Sequence, residues 1–323
     1  MERTSAGAPG SQSNRVGRAA AWSVFLQDRL VLGRWTLVPG VRYESIGFTQ
    51  TDYARTDPGR SAPTRVVENG VDVLIPGMGV NVDVSAMLSL FGGVHKGFGP
   101  PGPGADRETR AEGSVNYELG ARYRRGALGL QAVGFFNDYD NVLGKATLAT
   151  GGSGAGELFN GGRVDVAGVE LVVDYDAAAR AGRPFRLPLR LAYTLTRAEF
   201  RTDFESEYEL WGSVQAGDEL PYMPRHQLFG SASLESAAVA LRLSGHYSSE
   251  MRTVAGQGRI PPVESADAQL IFDLSGEYRV APWGSVIAAI QNLSDRSYVV
   301  ARHPAGVRPG LPRTFSLGLR LAR

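Results

Sequence analysis

Hydrophobic and polar residues alternate along most of this chain, a period of two that predicts β-strands with two different faces. Near the C-terminus every second residue from Phe315 to Leu321 is a phenylalanine or a leucine, and the residues between them are Ser316, Gly318 and Arg320. The same alternation is clear at residues 117–123, 187–196, 239–251 and 270–280. One side of each strand is therefore expected to face an apolar environment and the other side a polar one.

The alternating segments are both numerous and long. They predict about 13 strands, at residues 18–31, 34–49, 74–82, 84–97, 112–124, 126–141, 163–177, 185–202, 225–236, 238–254, 265–279, 282–301 and 312–322. Many exceed the roughly 9–11 residues that a tilted membrane-spanning strand needs, whereas soluble strands average about 5–6 residues. The predicted fold class is all-β, an antiparallel transmembrane β-barrel meander, and no segment predicts a helix.

The connections between these strands alternate in length. Short turns are predicted near residues 32–34, 83–85, 124–127, 235–238 and 280–283. Long polar segments lie near residues 50–73, 98–111, 142–162, 203–224, 255–264 and 303–311. Since consecutive antiparallel strands turn at opposite ends, all the long loops are expected at one end of the sheet, an asymmetry typical of outer-membrane barrels.

Composition narrows the range of functions. The 323 residues contain 34 Lys and Arg against 33 Asp and Glu, so clustered basic charge for nucleic-acid binding is not expected. There is no cysteine, which excludes disulfides, thiolate metal sites and cysteine nucleophiles. No apolar run is long enough for a transmembrane helix, and the first 14 residues have no apolar stretch typical of a signal peptide.

Five strings, in this order, resemble the barrel of TonB-dependent outer-membrane receptors. They are FFNDYDN at 135–141, FNGG at 159–162 with VAGVE at 166–170, LPYMPRHQ at 220–227, QNLSDRSY at 291–298 and RPGLPRTF at 308–315. The subgroup that the chain resembles most is the ferric-dicitrate (FecA-like) siderophore receptors. The resemblance implies a location in the outer membrane of a Gram-negative cell. It also implies uptake of a ferric siderophore or ferric citrate-like chelate, and no enzymatic activity.

The family's barrel has about 22 strands around an N-terminal plug, so 13 strands leave about nine unaccounted for. The resemblance therefore implies an incomplete barrel: residues 1–17 a disordered or loop remnant, and residues 18–323 the C-terminal part of the barrel, without the plug and the signal peptide. The implied partners are outer-membrane lipid, the ferric chelate, and the TonB complex only through a plug domain missing from this chain. A passive porin-like or structural barrel, a non-functional receptor fragment and a soluble β-sheet protein are the alternatives.

Arginines in or beside the predicted long loops are the candidate ligands for a chelate that carries carboxylates, because guanidinium groups bind carboxylates with two parallel hydrogen bonds. These residues are Arg252, Arg259, Arg302 and Arg308. His246, on the polar side of its strand, is a fifth candidate. Each arginine could equally be a solvated loop residue.

Other chemistry is not expected from the motifs. The four histidines have no spacing that would bring metal ligands together, and residues 137–141 lack the acidic pattern of a calcium loop. The glycine-rich segment at 151–156 does not complete a G-x-S-x-G motif. No cofactor, metal or catalytic residue is therefore predicted. The last residue is Arg323, where barrels of the resembled family usually end in an aromatic residue.

Overall fold

A computed structural model describes residues 14–105, 109–145, 158–179, 183–303 and 306–321. Thirteen long strands form one antiparallel sheet. They are β1 (Arg15–Gln27), β2 (Trp35–Tyr53), β3 (Pro63–Asp83), β4 (Leu88–Gly99), β5 (Glu112–Arg125), β6 (Leu128–Asn141), β7 (Val164–Asp176), β8 (Pro188–Phe200), β9 (His226–Ser236), β10 (Val239–Ser248), β11 (Gln269–Ala281), β12 (Gly284–Gln291) and β13 (Thr314–Leu321). The predicted all-β antiparallel meander is confirmed, with each predicted strand matched by an observed one.

Each strand pairs with the strand that follows it in sequence, so the sheet is an uninterrupted meander. Within the described ranges β1 pairs only with β2, and β13 pairs only with β12, so the sheet is not closed. The structure exposes 19880 Å², against about 13,000 Å² expected for a compact monomer of this mass. The excess follows from the architecture, because a single sheet leaves both of its faces uncovered.

Several short strands and one short helical turn accompany the main sheet. Leu30–Leu32 pairs with β2, and Phe185–Arg186 pairs with β9. Four two-stranded hairpins lie in the connections: Leu143–Lys145 with Leu158–Asn160, Phe204–Glu205 with Ser213–Val214, Met251–Arg252 with Ser265–Ala266, and Val299–Ala301 with Arg308–Pro309. A 3₁₀ turn covers Pro262–Glu264. In the part of the chain that the structure describes, no helix combines the length and the apolar character needed to cross a bilayer.

The loops are sorted by length as predicted, with one exception. At one end of the sheet the turns at 28–34, 84–87, 126–127, 237–238 and 282–283 are short, whereas the connection at 177–187 at the same end is longer than the one at 54–62. The connections at the other end lie at 54–62, 100–111, 142–163, 201–225, 249–268 and 292–313. The sheet therefore has a short-turn end and a long-loop end.

Strand pairing carries the apolar side chains across the whole sheet on one face, which we call the apolar face. Residues directly opposite each other share a face, and one row runs through Leu243, Leu274, Ile290 and Phe315. Of seven residues on the predicted apolar side of β10, β11 and β13, six are exposed and Leu274 is half-buried. The six are Leu241, Leu243, Leu270, Phe272, Leu317 and Leu319. The soluble β-sheet alternative is wrong, because that fold would bury these side chains in a core.

The opposite face, which we call the polar face, carries ion pairs and hydrogen bonds between strands. Arg320 on β13 donates to both carboxylate oxygens of Glu277 on β11, at 2.9 and 2.7 Å. Arg122 on β5 donates to Gln131 on β6 at 3.1 Å. The alternation read from the sequence therefore separates two continuous surfaces of different chemistry.

Several strand boundaries differ from the sequence predictions. β2 and β3 continue far into the segment predicted as a loop at 50–73, because polar residues there still pair in register from Thr49 opposite Glu68 to Asp52 opposite Arg65. The strand predicted at 282–301 ends at Gln291, because the backbone of the next residue, Asn292, has a φ of 50°. β1 begins at Arg15, three residues before the predicted start.

The main hydrophobic core of the described residues lies in the long-loop end rather than in the sheet. Val164, Phe200, Tyr208, Leu210, Trp211 and Val214 are all buried there. A one-layer sheet has no second layer to cover it, so an enclosed apolar core forms only where loops fold back on strand ends. We call this group the aromatic cluster.

Candidate functional site

The aromatic cluster packs the described ends of the loop at 142–163 against the loop at 201–225. The Trp211 ring meets Phe200, Phe204 and Tyr208 edge-to-face, with centroids 5.7, 5.9 and 5.0 Å away. Such pairs add about 0.5–1.5 kcal/mol each beyond the area that they bury. Gly144, in the neighbouring loop, lies so close to the Trp211 ring that a Cβ atom there would collide with it.

A buried guanidinium joins the loop at 249–268 to the loop at 201–225. Arg252 is 4 % exposed, and its Nε donates to Glu219 Oε2 at 3.1 Å while a terminal nitrogen donates to the carbonyl of Gly258. Glu219 also accepts from Arg225, so one carboxylate bridges two arginines. The backbone strengthens the junction, because the Tyr222 N–H donates to the carbonyl of Arg252 at 2.8 Å.

The loop at 292–313 joins the same unit. The backbone N–H of Arg302 donates to the Tyr222 hydroxyl at 3.2 Å, and its guanidinium donates to the carbonyl of Ser265. His303 Nδ1 lies 3.7 Å from a carboxylate oxygen of Glu209. The loops at 201–225, 249–268 and 292–313 therefore form one connected structure, which we call the three-loop assembly.

Asn292 fixes the start of the last of these loops. Its side-chain nitrogen donates to the carbonyls of Arg296 and Leu311 at 2.9 and 3.0 Å, and its side-chain oxygen accepts from the Arg296 N–H at 2.9 Å. Nearby, the N–H and guanidinium of Arg313 hold the Asp295 carboxylate and keep the pKa of Asp295 below its usual range. The direction of the loop as it leaves β12 is thus set by side-chain bonds.

A cavity of about 570 Å³ lies where the polar face meets the three-loop assembly. Its wall includes His246, Asp273, Phe229, Gln269 and Tyr298. His246 Nε2 is 4.0 Å from Asp273 Oδ2, and the imidazole lies against the Phe229 ring with centroids 4.8 Å apart. The side-chain oxygen of Gln269 is buried with no hydrogen-bond partner among the described residues. The cavity thus offers a titratable ring, a carboxylate, aromatic surface and an unused acceptor.

The five predicted site residues occupy three kinds of position. Arg252 and Arg302 are inside the three-loop assembly and use their guanidinium groups to bond other loop residues. Arg259 is exposed and has no hydrogen-bond or ionic partner in the described ranges. Arg308 is exposed beside the hairpin partner Ala301, and His246 lines the cavity. The structure does not gather all five around one point.

Sequence reasoning did not single out Glu219, Tyr222, Gln269 or Tyr298, which are central to the assembly and the cavity. Two of them could have been found from the sequence, because Tyr222 and Tyr298 lie within the family-like strings LPYMPRHQ and QNLSDRSY. Within the described residues, no group of three or more His, Cys, Asp or Glu side chains could hold a metal ion. The glycine-rich segment at 151–156 and Arg323 lie outside the described residues.

The family model described as "TonB dependent receptor-like, beta-barrel" matches residues 2–293. The chain belongs to this family. The family is one of outer-membrane transport receptors rather than enzymes. The resemblance read from the five sequence strings is confirmed.

A curated relative is the pesticin receptor of Yersinia enterocolitica, which is 26 % identical over 194 residues, covering 58 % of this chain and 25 % of that protein. Three solved structures share the fold. The siderophore receptor PiuA of Acinetobacter baumannii has a TM-score of 0.72 and 16 % identity, over 94 % of this chain and 43 % of that one. The ferric citrate transporter FecA has a TM-score of 0.69 and 18 % identity, over 94 % of this chain and 45 % of that one. The ferric yersiniabactin uptake receptor FyuA of Yersinia pestis has a TM-score of 0.69 and 18 % identity, over 95 % of this chain and 46 % of that one.

The chain spans about a quarter of the length of this curated relative and under half of each of these three solved chains. Nearly all of the present chain aligns with those structures. The open sheet therefore corresponds to part of a barrel wall.

Proposed function

We propose that this chain is part of the wall of a receptor that takes up a ferric siderophore or ferric citrate-like chelate across the outer membrane. The observation that carries the proposal is the three-loop assembly over the lumen cavity beside His246. Loops tied to one another by Arg252 and Arg302 present a stable surface, and a preformed surface binds a ligand without first losing the entropy of loop ordering. FecA and FyuA, whose structures share the fold, are receptors for iron chelates.

In this proposal the predicted site residues have two roles. Arg259 and Arg308 on the exposed loops, and His246 in the cavity, contact the chelate. Arg252 and Arg302 position the loops, because their guanidinium groups are already bonded to Glu219, Gly258 and Ser265. The exposed guanidinium of Arg259, which has no partner in the described ranges, favours a chelate with exposed carboxylates, which accept paired hydrogen bonds from arginine.

We also propose that residues 18–323 are the C-terminal part of a larger barrel; of the residues 1–17 expected to be a loop remnant, Arg15, Val16 and Gly17 already belong to β1. The unpaired edges of β1 and β13 support this, because hydrocarbon cannot satisfy exposed backbone N–H and C=O groups. About nine further strands would bring the sheet to the roughly 22 of the family's barrel. Coupling to TonB would then run through a plug domain lying against the polar face.

The test titrates ferric dicitrate and a ferric tris-catecholate against the complete receptor of which this chain is proposed to be the C-terminal part, purified in detergent micelles, and tryptophan fluorescence reports binding. Ferric dicitrate is expected to bind, and Arg259→Gln is expected to weaken its binding by about tenfold, because one charge-assisted contact is lost. The matched control is Arg29→Gln. Arg29 is also exposed and its guanidinium is also unpaired in the described ranges, but it lies at the short-turn end.

Equal effects of the two substitutions, or no binding of ferric dicitrate, would contradict the proposed site. Tighter binding of the catecholate would contradict the preference for carboxylates.

A further inference from the structure

A groove of about 850 Å³ lies on the apolar face near its long-loop end. Two small residues form its floor: Gly134, opposite Leu119 and Val169, and Ala167, opposite Phe136. A Cβ atom built on Gly134 would meet only a backbone oxygen, 3.9 Å away. The groove therefore exists because its floor residues, Gly134 and Ala167, have no large side chains.

Large apolar side chains form the sides of the groove. Tyr117 and Phe136 stack with ring centroids 6.2 Å apart on one side, and Leu195 lies on the other. Leu119 is 73 % exposed, so nothing within the described residues covers this wall. The volume is within the range of about 300–1,000 Å³ that is typical of small-molecule sites.

Two arginines lie at the end of the groove that faces the long loops. Arg197 occupies the same cross-strand row as Phe136 and Ala167, and Arg225 reaches the groove from the residue before β9. Arg197 uses Nε to bond Glu199, and Arg225 uses one terminal nitrogen to bond Glu219. No other hydrogen bond occupies their remaining guanidinium N–H groups in the described part of the chain.

These arginines lie where the headgroup of a lipid would be if its acyl chain occupied the groove. Strand register places Arg197 one row beyond the row of Leu119, Gly134, Val169 and Leu195, at the boundary between the apolar band and the loops, and Arg225 lines the same end of the groove from the residue before β9. An acyl chain in the groove would therefore run alongside the strands with its headgroup beside the guanidinium groups. Guanidinium groups bind phosphate through paired, charge-assisted hydrogen bonds.

We propose that this groove binds a phosphorylated lipid of the outer leaflet. The acyl chain lies over Gly134 and Ala167, and the phosphate is held by Arg197 and Arg225. The lipid-facing groove is distinct from the lumen cavity beside His246, and the proposal does not depend on which chelate the receptor takes up.

The test measures lipid retention by native mass spectrometry on the complete receptor of which this chain is proposed to be a part, purified in detergent micelles and supplied with diphosphoryl lipid A. The wild-type chain is expected to retain the lipid. Arg197→Gln with Arg225→Gln is expected to reduce the apparent affinity by at least about tenfold, through the lost phosphate contacts. Gly134→Leu is expected to reduce it by filling the groove, without removing any charge.

The matched control is Arg320→Gln, because Arg320 is also an exposed arginine paired with a glutamate but lies on the polar face. Circular dichroism checks that every variant keeps its β-sheet content. Three outcomes would overturn the proposal: unchanged retention in both the double arginine variant and Gly134→Leu, an equal loss in Arg320→Gln, or equal retention of phosphatidylcholine. If free inorganic phosphate competes as well as lipid A does, the groove is not a lipid site.

Discussion

At the scale of single residues, side-chain hydrogen bonds to the backbone determine where strands end and loops begin. Asn292 makes three such bonds at the end of β12. Asn14 does the same before β1, where its side-chain nitrogen donates to the carbonyls of Ala54 and Asp57 at 3.1 and 2.8 Å. Both asparagines are buried, and a buried amide stabilises a fold only when its donors and acceptors are paired. Single polar residues thus set the geometry of the long-loop end.

Asp295 makes that geometry sensitive to acid. Its pKa is lower in the folded chain, so its contact with Arg313 stabilises the loop above about pH 4, the ordinary range of a carboxyl group. The contribution is lost as the pH falls through the lowered pKa. We expect hydrogen exchange at the Arg313 N–H, corrected for its intrinsic pH dependence, to lose protection only below about pH 4. In Asp295→Asn this acid step should be absent, and an unchanged step would show that another group is responsible.

At the scale of elements, the same sheet has two sources of stability. Strand pairing holds β1 to β13 together without a second layer, whereas the loop at 201–225 and the described ends of the loop at 142–163 depend on the aromatic cluster. Loops usually lack a core of their own and are mobile. In this chain, buried aromatic rings give the described parts of these two loops a shared hydrophobic core.

A substitution at Trp211 tests how much the aromatic cluster contributes to the stability of the loops. We expect Trp211→Ala to destabilise the loop unit by about 3–5 kcal/mol, the usual cost of removing a large buried side chain. Cleavage by trypsin at Arg201 and Arg225 should then be faster. Trp283→Ala is the matched control, because Trp283 is 62 % exposed at a short turn. Equal cleavage rates in the two variants would show that the cluster does not hold the loops.

At the scale of the whole molecule, the sheet has two open edges and one continuous apolar face. A closed barrel satisfies every backbone group internally, which is the condition for a β-structure to reside in hydrocarbon. Edges of β1 and β13 that have no partner in the described ranges do not meet this condition. The family, the coverage of the solved structures and the open edges are thus consistent with one another.

We therefore expect residues 1–323, exported with a signal peptide, not to form a stable inserted barrel by themselves. The reason is the cost of unpaired N–H and C=O groups in lipid, several kcal/mol for each group. The measurement is migration in gel electrophoresis before and after heating of outer-membrane fractions, with a complete 22-stranded receptor as the positive control. A compact species that shifts on heating would contradict this expectation.

The candidate site could be predicted only in part from the sequence. The loop arginines were identifiable by type and position, but nothing in the sequence distinguishes Arg252, which is buried and bonded to Glu219, from Arg259, which is exposed and unpaired. Two arginines of the same loop differ because one lies beneath neighbouring loops. Burial of this kind depends on contacts with residues far away in the chain.

The sequence by itself determined the number and direction of the strands, the two faces of the sheet and the sorting of loops by length. These properties follow from the period of two and from turn positions, which are local features of the chain. Only the tertiary structure decided which loops join, as in the bond between Arg302 and Tyr222, 80 residues apart. It alone also revealed the groove over Gly134, which needs four strands in register. Local patterns specify strands, whereas sites arise where distant strands and loops meet.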